Sequence, residues 1–240
     1  MSKNMDLNIE EKNIKLIKNI KKYQTQKINP IVIEFDGTPN AGKTTVVEEV
    51  YKVLNSIFKC SYIMERAKNC KIKDKLSPKF NFITGTQTII RIIEEIECNN
   101  QIILCERGLL DAIFWMHFHN ENKRISNECK QALTQFFLLN DFIKCKFFSL
   151  VLQCDSNSAI MREKIKNKYI NNKKRIVNEE VIDMYNISID NCYEQYKNQF
   201  SSIKIDTSDM TIQEVFDVSL FHILKYINKQ IENDYENLDK

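Results

Sequence analysis

The chain has 240 residues, 43% of them apolar and 28% charged, the balance of a folding globular protein, which excludes disorder along its whole length. Its formal net charge of +3 is too small for the whole-chain field to argue for a nucleic-acid or membrane partner. No run reaches the ~18 to 20 apolar residues that span a bilayer, and Met1 to Lys27 lacks the continuous apolar core of a secretion signal, so a cytoplasmic protein is expected.

In chain order, Ile9, Ile14, Leu16, Ile17 and Ile20 fall at mostly helical spacing among lysines, which predicts an amphipathic helix within an N-terminal extension, residues 1–29. Pro30 breaks that pattern, and Ile31-Val32-Ile33-Glu34-Phe35 reads as a buried strand ending at Asp36. Four further apolar runs, Cys60 to Met64, Ile102 to Cys105, Phe147 to Leu152 and Ile203 to Ile205, also read as strands. Helical periodicity fills the intervals, near 43–57, 83–98, 109–120, 126–144, 156–168, 178–199 and 211–232. Strands separated by helix-length segments require a parallel sheet with crossover helices. With no internal repeat and no linker, residues 30–232 form one domain, followed by a flexible tail at 233–240. The eight cysteines include no Cys-x-x-Cys pair and several sit in apolar runs, so they read as buried free thiols in a reducing compartment.

Between the first strand and the first long helix stands Gly37-Thr38-Pro39-Asn40-Ala41-Gly42-Lys43-Thr44, the G-x-x-x-x-G-K-[ST] pattern of a P-loop in its required strand-to-helix context. The glycines permit a tight turn in which successive N–H groups point at phosphate oxygens, aided by the positive end of the following helix. Lys43 is assigned to the β- and γ-phosphates of ATP, Thr44 to magnesium, and Thr45 to an added polar contact. The expected architecture is a three-layer α/β/α P-loop NTPase fold with a five-stranded parallel sheet and a helical lid.

At the end of the third strand, Glu106-Arg107-Gly108-Leu109-Leu110-Asp111 puts an acid and a base where open α/β sheets bind ligands. With the P-loop, this segment resembles the deoxynucleoside kinase and thymidylate kinase group of P-loop kinases. The resemblance implies that Glu106 lies near the metal and the acceptor, that Arg107 contacts phosphate, and that Asp111 belongs to the acceptor pocket. Ile63-Met64-Glu65-Arg66 resembles the segment after the second strand in the same group and straddles two readings. Glu65 as general base suits a nucleoside, whereas Arg66 as a phosphate clamp suits a monophosphate. Residues 80 to 91 resemble the helix that holds the base; there Gln87 and Arg91 share a face at i and i+4, and Phe80 and Phe82 either stack on a base or belong to the core.

Residues 161–178 hold Arg162, Lys164, Lys166, Lys168, Lys173, Lys174 and Arg175 against one acid, Glu163. In the kinase group this region is a lid whose arginines close over the transferring phosphates, which implies that role for Arg162 and Arg175 and leaves most lysines as a solvated face. Ile203 to Ser208 resembles the closing strand and the loop on which adenine packs. The combined reading is ATP- and magnesium-dependent phosphoryl transfer to a nucleoside, a nucleoside monophosphate or a similar small acceptor. The alternatives are a nucleotide-binding regulator with little kinase activity and a polynucleotide 5′-end kinase. Pairing into a homodimer through helices is expected only by analogy with the group.

Overall fold

In a computed structural model of the chain, all five apolar runs become strands of one sheet. The structure describes residues 3–22, 29–65, 70–138, 143, 145–170 and 178–236. The elements are α1 (Lys3–Lys21), β1 (Ile31–Gly37), α2 (Lys43–Asn55), β2 (Cys60–Ile63), α3 (Pro78–Glu97), β3 (Ile102–Glu106), α4 (Leu109–Glu121), α5 (Asn127–Phe137), β4 (Lys146–Gln153), α6 (Ser156–Ile170), α7 (Glu179–Tyr196), β5 (Ile203–Asp206) and α8 (Ile212–Glu236).

Every strand pairing is parallel and the order is β2-β3-β1-β4-β5. β1 is therefore central, with β3 on one side and β4 on the other, and the chain changes its direction of travel across the sheet at this strand. Ligands of open α/β sheets bind outside the carboxyl ends of the strands at such a switch point. The register sets Phe35 opposite Glu106 and Gly37 opposite Leu152, so the motif-bearing ends of β1 and β3 are level.

The alternation of a strand sorts β1 between two cores. Ile31, Ile33 and Phe35, with Phe148, Leu150 and Leu152 of β4, join a cluster with α2 and α8. Val32, with Ile103 and Cys105 of β3 and Phe147 and Val151 of β4, joins a second cluster with α3, α4 and α7. Each fully buried aliphatic side chain is worth roughly 1.5–3 kcal/mol, which is what holds the three layers together.

Element edges differ from the sequence expectation where packing extends a helix. α3 begins at Pro78 rather than near 83, because proline at the first helical turn costs no hydrogen bond and the extra turn buries Phe80. α8 continues to Glu236, with Ile227 and Ile231 buried and Asp234 paired to Lys146 at 2.6 Å, so residues 233–236 are helical and not part of a loose tail. α5 ends at Phe137, and the rest of the helix expected to 144 lies largely outside the described residues. α1 lies along α8, with Ile20 fully buried, Asn13 donating to the Asp217 carbonyl at 3.2 Å and Asn19 donating to Asn228 at 2.7 Å. All eight cysteines are free thiols, three of them buried and two exposed. Among the described residues no helix is long and apolar enough to cross a membrane.

Candidate active site at the strand ends

The loop from Gly37 to Thr44 is a ring closed by its own lysine. Lys43 is buried, and its Nζ donates to the carbonyls of Gly37 at 2.9 Å and Thr38 at 2.5 Å. Two of the three ammonium donors are taken by these carbonyls, which leaves one donor for a ligand. Among the described residues no backbone carbonyl occupies the N–H groups of Asn40, Gly42, Lys43 or Thr44. Gly37 sits at φ 104°, and a Cβ there would lie 2.3 Å from the Leu152 carbonyl oxygen, so both backbone conformation and space demand glycine. Burial, followed by repulsion from Arg107, lowers the Lys43 pKa to about 8 against the pull of Asp111, Glu65 and Glu106. An ammonium held at that cost is poised to gain an anionic partner.

Three strand ends converge beside this ring. Glu106 accepts hydrogen bonds from the Thr44 hydroxyl and from the Tyr62 hydroxyl at 3.1 Å, with the Glu65 N–H at 3.5 Å. Tyr62 is the last residue but one of β2; burial and then Glu106 raise its pKa, so the phenol stays protonated and donates. Arg107 follows β3 at φ 64°, a left-handed conformation uncommon outside glycine, which turns the chain from strand into helix. Its Nε pairs with Glu65 at 2.9 Å and its Nη1 with Asp111 at 2.9 Å. Burial alone would lower the Arg107 pKa, but Asp111 and Glu65 outweigh it and hold it well above the ordinary value.

Asp111, one turn into α4, is a junction and is only 2% exposed. It accepts from the Gly37 N–H at 3.0 Å, the Tyr185 hydroxyl at 3.1 Å, the Trp115 indole N–H at 3.1 Å and Arg107. Asp111 is thus held by four groups of the protein and keeps almost no exposed surface. Beneath it, Glu34 and Asp36 point from β1 into the same layer, and both are fully buried. Glu34 caps α4, accepting from the N–H groups of Leu109 at 2.7 Å and Leu110 at 3.3 Å and from the Ser149 hydroxyl at 2.9 Å. Asp36 accepts from the Gly108 N–H at 2.8 Å through one oxygen, and its other oxygen has no partner among the described residues. A helix N-terminus favours such carboxylates. Burial nonetheless pushes the Glu34 pKa up to about 7, and burial together with Glu34 raises that of Asp36.

The remaining predicted residues are spread more widely. Gln87 lies on α3, with its side-chain oxygen buried and unpartnered among the described residues. Arg91 pairs with Glu94 and Glu95, at 3.2 and 3.1 Å. Phe82 packs in an aromatic cluster with Phe136 and Phe137, at centroid distances of 5.8 and 6.2 Å. Arg162, on α6, grips the loop after β5: it donates to the Thr207 hydroxyl at 3.1 Å, to the Thr207 carbonyl, and to those of Ser208 and Met210. Arg66 and Arg175 lie outside the described residues, as do 171–177 of the expected lid. Pro39, Ala41 and Thr45 stand where the motif places them, Thr44 and Thr45 exposed at the mouth. Tyr62, Tyr185 and Asn186 were not singled out by sequence, since nothing local marks a tyrosine or asparagine as reaching a distant strand end.

A parallel sheet in this order, a lysine-closed loop after its central strand and an acid–arginine pair after the neighbouring strand define a P-loop fold of the kinase type. No protein-family model matches the sequence, and no curated protein does. Solved structures do match. Deoxyadenosine kinase from M. mycoides with bound dATP is 17% identical over 87% of this chain and 100% of that chain, with a TM-score of 0.57. The same enzyme with bound dCTP is 18% identical over 82% and 99%, with a TM-score of 0.57. The form with products dCMP and a flexible dCDP bound is 18% identical over 87% and 98%, with a TM-score of 0.53. The fold is that of the deoxynucleoside kinases.

Proposed function

We propose that this chain transfers the γ-phosphoryl group of ATP to a hydroxyl of a nucleoside. The observation that carries this reading is the Glu65–Arg107 pair at 2.9 Å, held beside Glu106 and the mouth of the P-loop. A carboxylate one-third exposed at that mouth suits a general base that accepts the proton of an attacking hydroxyl. The likeness to deoxyadenosine kinase structures supports the same acceptor class.

In this mechanism the N–H groups of Asn40, Gly42, Lys43 and Thr44 and the third donor of Lys43 hold the triphosphate. Arg107, oriented by two carboxylates, supplies positive charge where the transferring group develops negative charge. Glu65 takes the proton at its carboxylate oxygen while the hydroxyl lines up with the phosphorus. The Thr44 hydroxyl and the Glu106 carboxylate, in mutual hydrogen bond, are an all-oxygen set that fits Mg2+, which takes one or two protein oxygens plus phosphates and waters. When bound there, the ion would neutralise phosphate charge. Arg162, through the loop after β5, is assigned to the nucleotide side of the cleft.

A panel of nucleosides, nucleoside monophosphates and 5′-hydroxyl oligonucleotides incubated with labelled ATP and magnesium tests the reading. Product is expected with at least one nucleoside, and Lys43→Ala should abolish it while far-UV circular dichroism is unchanged. Transfer confined to monophosphates would move the acceptor site to the arginine at position 66. No acceptor-dependent product with any of the panel would make the chain a nucleotide-binding regulator.

A further inference from the structure

Lys43 is positioned by the carbonyls of Gly37 and Thr38, so whatever fixes these two residues sets the shape of the phosphate cradle. Both are tied to α7, on neighbouring residues of the same turn. Tyr185 donates to Asp111, which accepts the Gly37 N–H. Asn186 accepts the Thr38 hydroxyl at 2.5 Å. Thr38 is fully buried, and its backbone N–H donates to the Leu152 carbonyl at 3.0 Å, while its hydroxyl also accepts weakly from the Cys154 N–H at 3.4 Å.

The Asn186 amide has no freedom to turn. Its nitrogen donates to the Cys154 carbonyl at 2.8 Å, which forces its oxygen toward Thr38. Gln153 reaches the Asn186 backbone carbonyl at 3.4 Å from the end of β4. A helix otherwise remote from the P-loop in sequence thus holds the second loop residue by a short, oriented side-chain bond. A threonine at that variable position of the motif needs no hydroxyl to make the turn, so the hydroxyl serves the contact with α7.

We infer that Asn186, acting through the Thr38 hydroxyl, is a positioning residue for triphosphate binding: α7 sets the geometry of the ring that Lys43 closes. The inference rests on the proposed function, since it concerns how tightly the ring holds a triphosphate. Loss of the bond leaves a buried hydroxyl or amide unsatisfied in one partner and lets the Thr38 carbonyl drift from Lys43.

The test is a double-mutant cycle on the full chain, Thr38→Val, Asn186→Ala and both together, with the Kd for the non-hydrolysable analogue AMP-PNP and magnesium measured by calorimetry and stability by urea unfolding. Each single variant is expected to bind on the order of tenfold more weakly, and the double variant no worse than either single one. Asn186→Asp retains an acceptor for the Thr38 hydroxyl, so adding Thr38→Val to it should weaken binding further, unlike adding it to Asn186→Ala. Single variants that lose stability yet bind within twofold of the unmodified chain would make the contact merely structural and overturn the inference. So would losses that multiply in the double variant. An unmodified chain that binds no triphosphate overturns the functional reading and this inference together, a result distinct from an unmodified chain that binds and variants that bind equally well.

Discussion

Asp111→Asn is the sharpest probe of the junction beneath the P-loop, because it changes charge and hydrogen-bond polarity without changing volume. The carboxylate is 2% exposed and receives the Gly37 N–H, the Tyr185 hydroxyl, the Trp115 indole and Arg107. An amide keeps one acceptor oxygen, which can serve Gly37 and Tyr185. Its NH2 then faces the Trp115 N–H and one arm of Arg107, donor against donor. Losing a charge-assisted bond costs about 1.5–3 kcal/mol, and leaving the indole N–H buried without a partner costs about 1–3 kcal/mol more. The expected destabilisation is therefore about 3–5 kcal/mol, or roughly 10 °C in Tm for a chain of this size. Urea unfolding followed by circular dichroism measures it, and Trp115, the single tryptophan of the chain, reports the local change through its emission. A loss under ~1 kcal/mol with unaltered Trp115 emission would show that the junction is not organised as described.

Two further outcomes follow from the carboxylates of β1. A Cβ on Gly108 would fall 2.1 Å from the Glu34 carboxyl carbon and 2.3 Å from its Oε1, so Gly108→Ala must expel Glu34 from the α4 N-terminus. A loss of about 2–4 kcal/mol is expected by urea unfolding, and a neutral effect would refute the cap. Glu34, raised from 4.5 to about 7 by burial, and Asp36, raised likewise, bind protons more tightly in the folded chain than in the unfolded one. That part of the stability is complete below about pH 4.5 and is lost as pH rises through 7, about 3 kcal/mol from Glu34 at most. Asp36→Asn, which removes the neighbouring acid, should flatten the fall in urea-derived stability between pH 5 and 8; an unchanged slope would exclude Asp36 as a source.

Much of the fold was legible because it depends on local chemistry. Apolar runs marked all five strands and helical spacing the intervals between them, and the glycine–lysine motif between Asp36 and Thr45 located the cradle without any tertiary contact. The acid–arginine step at Glu106 and Arg107 was legible for the same reason, as charge at the end of an apolar run. Glu34 and Asp36 were visible as letters inside the first strand, but their partners on α4 were not, since β1 and α4 meet only when β3 inserts beside β1. On α3, Arg91 pairs with Glu94 and Glu95 and Phe82 packs toward α5, the core alternative that the sequence left open for this phenylalanine.

The sequence by itself determined that a P-loop follows the first strand, because its motif is eight consecutive residues in a strand-to-helix context. Tertiary structure alone decided that Glu65 pairs with Arg107, that Asp111 faces inward, and that Asn186 on α7 steadies Thr38. These contacts join residues from 42 to 148 positions apart. Which of many polar side chains meet over such separations is set by strand order and helix packing, and no local pattern encodes it.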